Sequence, residues 1–316
     1  MQFTVFILNW KHGCKNPIIK DDFSWIIVSK GVTMKIKFTK MQAFGNDYVY
    51  INTLNQEMPE DFNALAKHVS DEHYGIGSDG MVLICPSEIC DFRMRMFNPD
   101  GTEGEMCGNA LRSTAKYVYD YKLTDKTDFY IETFGGNQHI QLEVTDGVVS
   151  NITANIGKPV LDTTKIPVNT ELETFVNQPL LVQDKLFHVT SVSWGNPHCV
   201  TFIDSVKDLN IELYGPALEN MRTVFPNRTN VTFAEIVNDS YIKIREWERG
   251  TGETIGCGTG CCTAVVAGNI LGLCGRTVTV EQIGGPLYIH WDENDCMFMT
   301  GPSHYICEGE LFYEAK

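Results

Sequence analysis

The sequence has no apolar run approaching the roughly 18 residues that cross a bilayer, so no membrane helix is expected. Positive charge is scarce: 25 Lys and Arg face 40 Asp and Glu, a formal net charge of −15. Nucleic-acid phosphates are held by basic faces, so a nucleic-acid partner is excluded. A small anionic ligand is not, because a few Arg and backbone N–H groups in a cleft suffice. There is no Cys-x-x-Cys pair and no Cys/His cluster at zinc spacing. Cys257, Cys261 and Cys262 crowd one segment and cannot close a tetrahedral site alone. No metal is expected. "GIGSDG" (75–80) lacks both the spacing of a dinucleotide loop and the helix that should follow it. "MQFTVFILNW" is apolar but short, with no basic residue before it and no small-residue cleavage site after it. The 11 cysteines form no disulfide framework, and so many unpaired thiols point to a reducing compartment, the cytoplasm.

The chain has 316 residues, 43% of them hydrophobic, enough for two domains. Residues 1–33 read as an N-terminal extension, because Met34 opens the alternating run "MKIKFTKM". Further runs of period two predict strands at 34–38, 91–97, 128–133, 139–144, 230–236, 241–247, 277–282 and 286–291. Helical spacing predicts a helix after Cys107, with Leu111, Ala115 and Val118 on one face. A second follows Cys257, with Ala264, Val265, Gly268 and Leu271, and is small and apolar nearly all round, hence buried. Shorter helices are predicted at 60–70 and 215–222.

The two long helices share a prelude: a strand, a polar turn, then Cys-Gly, in "MRMFNPDGTEGEMCGN" and "IREWERGTGETIGCGT". That repeat predicts an α+β (mixed α/β) chain of two pseudo-symmetric domains. Each is a bent sheet or barrel around a central helix, with the boundary near 150–155, and if both helices point at one cleft the site lies between the domains. A cysteine at a helix start gains thiolate character from the free N–H groups and the positive helix end. Glycine lets a ligand approach the backbone. The N–H groups of Gly108, Asn109, Gly258 and Thr259 are therefore candidates to hold a carboxylate, with Cys107 and Cys257 on either side. One thiolate removing an α-proton while the opposite thiol delivers another inverts a stereocentre without pyridoxal or other cofactor.

"KMQAFGNDYVY" (40–50), "GIGSDG", "MFNPDGTEGEMCGNALR" (96–112), "GNPHCV" (195–200), "FPNRTNV" (225–231), "EWERGTGETIGCGTG" (246–260) and "MTGP" (299–302) resemble diaminopimelate epimerase, in order, across about residues 34–312. The resemblance implies conversion of LL-2,6-diaminopimelate to the meso form, in lysine and peptidoglycan precursor synthesis, by a cofactor-free homodimer. It implies domains at 34–152 and 153–301, with a last strand in 302–316 returning to the first. Cys107 and Cys257 match the acid/base thiols, and His198 and Glu248 match groups that tune them. Gly108, Asn109, Gly258 and Thr259 match the carboxylate cradle. Asn46, Asn98, Asn196, Asn230, Glu248 and Arg249 match substrate-binding residues. Taken singly, Asn46 and Asn98 read as turn residues, His198 as a structural histidine, and Glu248–Arg249 as a surface pair. Ala110, Ser113, Gly80, Thr229, Thr232 and Cys307 depart from the family pattern. Gly80 implies loss of a far-end contact, Thr229 and Thr232 read as minor changes, and Cys307 weakens the dimer expectation. A histidine- or proline-type racemase of the same scaffold, or an inactive amino-acid-binding relative, are the other readings.

Overall fold

The structure, a computed structural model, describes residues 33–314. The extension expected over 1–33 lies outside the described residues except for Thr33. The first half runs β1 (Thr33–Ala43), β2 (Asn46–Asn52), α1 (Phe62–Ser70), β3 (Met81–Cys85), β4 (Phe92–Phe97), β5 (Glu103–Gly104), α2 (Gly108–Asp120), β6 (Asp128–Thr133), β7 (Gly136–Thr145) and β8 (Val148–Asn155). The second half runs β9 (Gln178–Val182), β10 (Lys185–Ser193), β11 (Pro197–Phe202), α3 (Ile211–Glu219), β12 (Asn230–Asn238), β13 (Tyr241–Glu248), β14 (Gly252–Thr254), α4 (Gly258–Ile270), β15 (Thr277–Gln282), β16 (Gly285–Trp291) and β17 (Met297–Gly301). A long β18 (His304–Glu314) closes the chain.

The pairing order is a near mirror. From one edge it reads β18–β1–β2–β3–β4–β6–β7–β8. It continues through β17–β16–β15–β13–β12–β11–β10–β9. The parallel pairs β2/β3 and β4/β6 recur as β11/β12 and β13/β15. The two-stranded arms β4/β5 and β13/β14 each lead into a long helix. The halves join where β8 runs antiparallel to β17. The repeated Cys-Gly prelude in the sequence is thus a repeated strand–arm–helix unit.

The alternating runs form strands because one face of each is buried. β13 buries Ile242, Ile244 and Glu246 while Lys243 and Arg245 stay partly exposed. The inner faces wrap α2 and α4, and one core spans both halves. It takes Leu111, Ala115 and Val118 from α2, Val265 and Val266 from α4, and Met297 and Met299 from β17. Outside this core α1 packs on β1–β3 and α3 on β11–β13, forming two smaller clusters. One sequence expectation needs correction. The helix at 215–222 lies at Ile211–Glu219, with Pro216 inside it. α2 has no solvated face: Asn109 through Val118 are all buried, Arg112 and Lys116 included. No helix among the described residues is long and apolar enough to cross a membrane.

Candidate active site

Cys107 and Cys257 are the N-cap residues of α2 and α4, both in extended conformation. Neither helix has a side-chain cap or an acidic residue in its first turn. The first internal bonds are Leu111 N–H to Cys107 O and Cys261 N–H to Cys257 O. The preceding N–H groups, those of Gly108, Asn109, Gly258 and Thr259 among them, are left to other acceptors, at the positive ends of the two helices. Both starts abut one side chain of β17. A Cβ on Gly108 would lie 3.0 Å from Met299 Cε, and one on Gly258 3.0 Å from Met299 Sδ. The two Cys-Gly units therefore converge, with glycine at each because Met299 fills the space a Cβ would need.

On the first side, Asn46 begins β2 and its Oδ1 accepts from Cys107 Sγ at 3.6 Å and from Asn109 Nδ2 at 3.2 Å. Asn46 Nδ2 donates to Asp79 Oδ2 at 2.8 Å. Asn109 Oδ1 accepts from Arg112. Two residues after Asn46, on the same face of β2, Tyr48 is buried beside the thiol. Burial pushes its hydroxyl well above the ordinary phenol value, and Cys107 pushes it further. Cys107 itself is half-buried. Asn98 lies in the β4–β5 turn, its amide donating to Thr102 Oγ1 at 2.9 Å, and has no hydrogen bond to the Cys107 cluster.

On the second side, Cys257 is buried and its N–H donates to Gln282 Oε1 at 2.9 Å. Its Sγ lies 3.4 Å from Thr259 Oγ1. Burial raises this thiol well above its ordinary value and the carboxylates of Glu248 and Glu246 add to the rise, while Thr259 and the Gly260 N–H oppose it. Glu248 accepts from Thr254 Oγ1 at 2.6 Å. Burial raises its carboxyl as well. Thr254 and His198 hold it down, and the charges of Glu246 and Asp79, one from each half, push it up.

Glu246 went unnoticed in the sequence. Its Oε1 lies 3.5 Å from His198 Nδ1, both residues are buried, and its Oε2 accepts from Thr232 Oγ1 at 2.5 Å. It also presses on α4, where a Cβ on Gly260 would come within 2.5 Å of Oε2. The carboxylate nearest His198 is therefore Glu246, and Thr232 is no minor change because it holds that carboxylate. The signal was present: Glu246 shares a face with Ile242 and Ile244, an acid in an otherwise apolar row.

Asn230 is buried with its amide occupied. Nδ2 donates to Pro197 O at 3.0 Å, and Oδ1 accepts from Arg249 N–H at 2.8 Å. It ties the start of β11 to Arg249. Arg249 is exposed, with Nη1 donating to Asn227 O at 3.2 Å. Its side chain lines an open cavity of about 420 Å³ with Lys165, Ser193, Gly195 and Asn227. Asn196 lies on the turn between Ser193 and Pro197, where its carbonyl accepts from Trp194 N–H. Neither Asn196 nor Arg249 has a side-chain hydrogen bond to Cys107 or Cys257 among the described residues.

Residues 38–161 and 190–306 match the family model described as diaminopimelate epimerase. The chain belongs to the diaminopimelate epimerase family. A diaminopimelate epimerase of Methanococcus maripaludis (strain C5) is 46% identical over 277 residues, 87% of this chain and 99% of its own. One of Acetivibrio thermocellus is 46% identical, covering 87% of this chain and 98% of its own. Among solved structures, a PhzF-family phenazine biosynthesis protein of Bacillus anthracis superposes with TM-score 0.64 at 19% identity, over 88% of this chain and 99% of its own. A hydroxyproline epimerase of Agrobacterium vitis does so with TM-score 0.64 at 11% identity, over 89% and 92%. These two likenesses show the fold.

The departures from the family pattern now have physical accounts. Gly80 has φ +153°, and a Cβ there would meet Phe97 O at 2.3 Å and the Tyr48 ring at 2.8 Å, so this backbone admits no side chain. Ser113 is buried and bonds Ser303 Oγ at 2.7 Å, tying α2 to the start of β18. Ala110 is buried and its carbonyl accepts from Thr114 Oγ1. Cys307 lies exposed on β18, opposite Lys40.

Proposed function

We propose that the chain epimerises LL-2,6-diaminopimelate to the meso form by proton transfer between Cys107 and Cys257, with no cofactor. The observation that carries this reading is the convergence of two uncapped Cys-Gly helix starts on Met299. The reacting α-carboxylate accepts from the N–H groups of Gly108, Asn109, Gly258 and Thr259. Negative charge building at the α-carbon and its carboxylate is stabilised by both helix ends. In one direction the Cys107 thiolate takes the α-proton and the Cys257 thiol gives its own to the opposite face. The burial that raises Cys257 keeps it a thiol and suits that role. The turnover leaves a thiol at Cys107 and a thiolate at Cys257, and exchange with solvent or the reverse reaction resets them. His198 and Glu248, with Glu246, set the charge around Cys257.

At the far end Arg249 grips the second carboxylate, its guanidinium at the open cavity favouring this place. Asn46, Asn98, Asn196 and Asn230 orient the two amino-carboxylate ends, Asn46 and Asn230 partly by holding Cys107 and Arg249 in place. We assign 34–152 and 302–316 to one domain and 153–301 to the other; the mirrored strand order and the pairing of β18 with β1 support this. A cytoplasmic homodimer completes the proposal, the ten described cysteines all being free thiols.

Incubation with LL-diaminopimelate in deuterated water tests the reading. Meso product carrying one deuterium at an α-carbon is expected. Turnover of histidine or proline without any of diaminopimelate would overturn it.

A further inference from the structure

Arg112 is the largest side chain wholly shielded from solvent. Its partners carry no formal charge. One guanidinium nitrogen donates to Asn109 Oδ1, another contacts Met299 Sδ at 3.1 Å, and the Phe44 ring lies 5.4 Å away. Its Nε has no partner among the described residues. No carboxylate of the described residues forms an ion pair with it; its titratable neighbours are Cys107, Cys261, Cys262 and Tyr50. A buried cation without a counter-ion is strongly disfavoured. Such an arrangement persists where the charge has a use.

The surroundings narrow that use. Burial raises the thiols of Cys261 and Cys262 and the hydroxyl of Tyr50, so these stay neutral near pH 7. Burial lowers the guanidinium only to about 10, so it stays charged. Of the four neighbouring groups, Cys107 alone is partly exposed. A hydrogen-bonded chain leads to it from Arg112 through Asn109 Oδ1, Asn109 Nδ2 and Asn46 Oδ1 to Cys107 Sγ. The other polar groups around this thiol are Tyr48 on β2 and Asp79 beyond Asn46.

We propose that Arg112 is a positioning residue for the first thiol: it orients Asn109 and, through it, Asn46, whose Oδ1 accepts from the thiol, and its fixed positive charge inside the protein offsets the negative charge left when Cys107 gives up that proton. The inference deepens the two-thiol reading and rests on it.

The test follows the pH dependence of Cys107 alkylation by iodoacetamide, with the modified residue located by mass spectrometry, together with the melting temperature. Arg112→Met is expected to raise the alkylation midpoint by roughly one pH unit or more. Its melting temperature stays level or rises, because an unpaired buried charge has gone. Arg112→Lys keeps the charge but not the fork, so the midpoint moves less while kcat still falls. A purely structural arginine would give the opposite split, a lower melting temperature and an unmoved midpoint, and that result overturns the proposal. Should Arg112→Met not fold, Asn109→Ala and Arg112→Lys decide by the same readout: an unmoved midpoint in both overturns it. Alkylation needs no substrate. A shifted midpoint in a protein that does not epimerise diaminopimelate would sink the functional reading and leave the role of Arg112 standing.

Discussion

Cys107 and Cys257 hold equivalent places but unequal surroundings. Cys107 is half-buried against amides, whereas Cys257 is enclosed with two carboxylates nearby. Burial also raises the thiols of Cys199, Cys261 and Cys262. A thiol with a higher pKa folded than unfolded binds its proton more tightly in the folded state. Its stabilisation is complete below the unfolded value, about 8.5, and is lost as pH climbs from there toward the folded value. Each such thiol costs about 1.4 kcal/mol per pH unit in that window. The melting temperature is therefore expected to fall steeply from about pH 8.5 to about pH 10. A flat profile in differential scanning calorimetry would contradict the burial described. Cys199 and Cys262 are core packing, and replacing either with Ala should flatten the fall.

At the scale of elements, α4 is fitted to its barrel through absent side chains. Gly260 leaves room for Glu246, and Gly268 for Cys274 Sγ, 2.7 Å from where a Cβ would sit. Gly260→Ala favours helix intrinsically but forces the Glu246 carboxylate off Thr232 and His198. A loss of about 1–3 kcal/mol is expected by urea unfolding. An unchanged or raised midpoint would show that Glu246 relocates freely. Much of this architecture was legible in the sequence. The two long helices and the period-two strands follow from which face each buries, and the Cys-Gly units identify the paired helix starts. What escaped has local reasons. β3 is a continuous apolar run, "MVLIC", which carries no period. The start of α3 has no side-chain cap and Pro216 interrupts its pattern, so its boundary shifted by four residues at the start (215 against Ile211). The full burial of α2 was not legible because it includes two cations, Arg112 and Lys116, and Lys116 is buried only by meeting Val149 O and Asp120. The site residues were legible as types at spacings. The engaged amide of Asn230 and the His198–Glu246 pair were not, because both depend on contacts between strands distant in sequence.

Across the whole molecule, the mirrored strand order brings two copies of one strand–arm–helix unit together across β8 and β17, both helix starts abutting Met299. In the proposed reading, a substrate bound between them meets a thiol from each half. A single thiol reaches only one face of a stereocentre, and inversion needs both. The two-thiol claim is tested most directly by α-deuterium exchange in deuterated water with Cys107→Ala and Cys257→Ala, each given LL- and meso-diaminopimelate separately. The account predicts that both variants lose epimerisation by orders of magnitude. Each should retain slow exchange at the centre of only one configuration, L for one variant and D for the other. Exchange of the same configuration by both variants, or near-normal epimerisation by either, would contradict it.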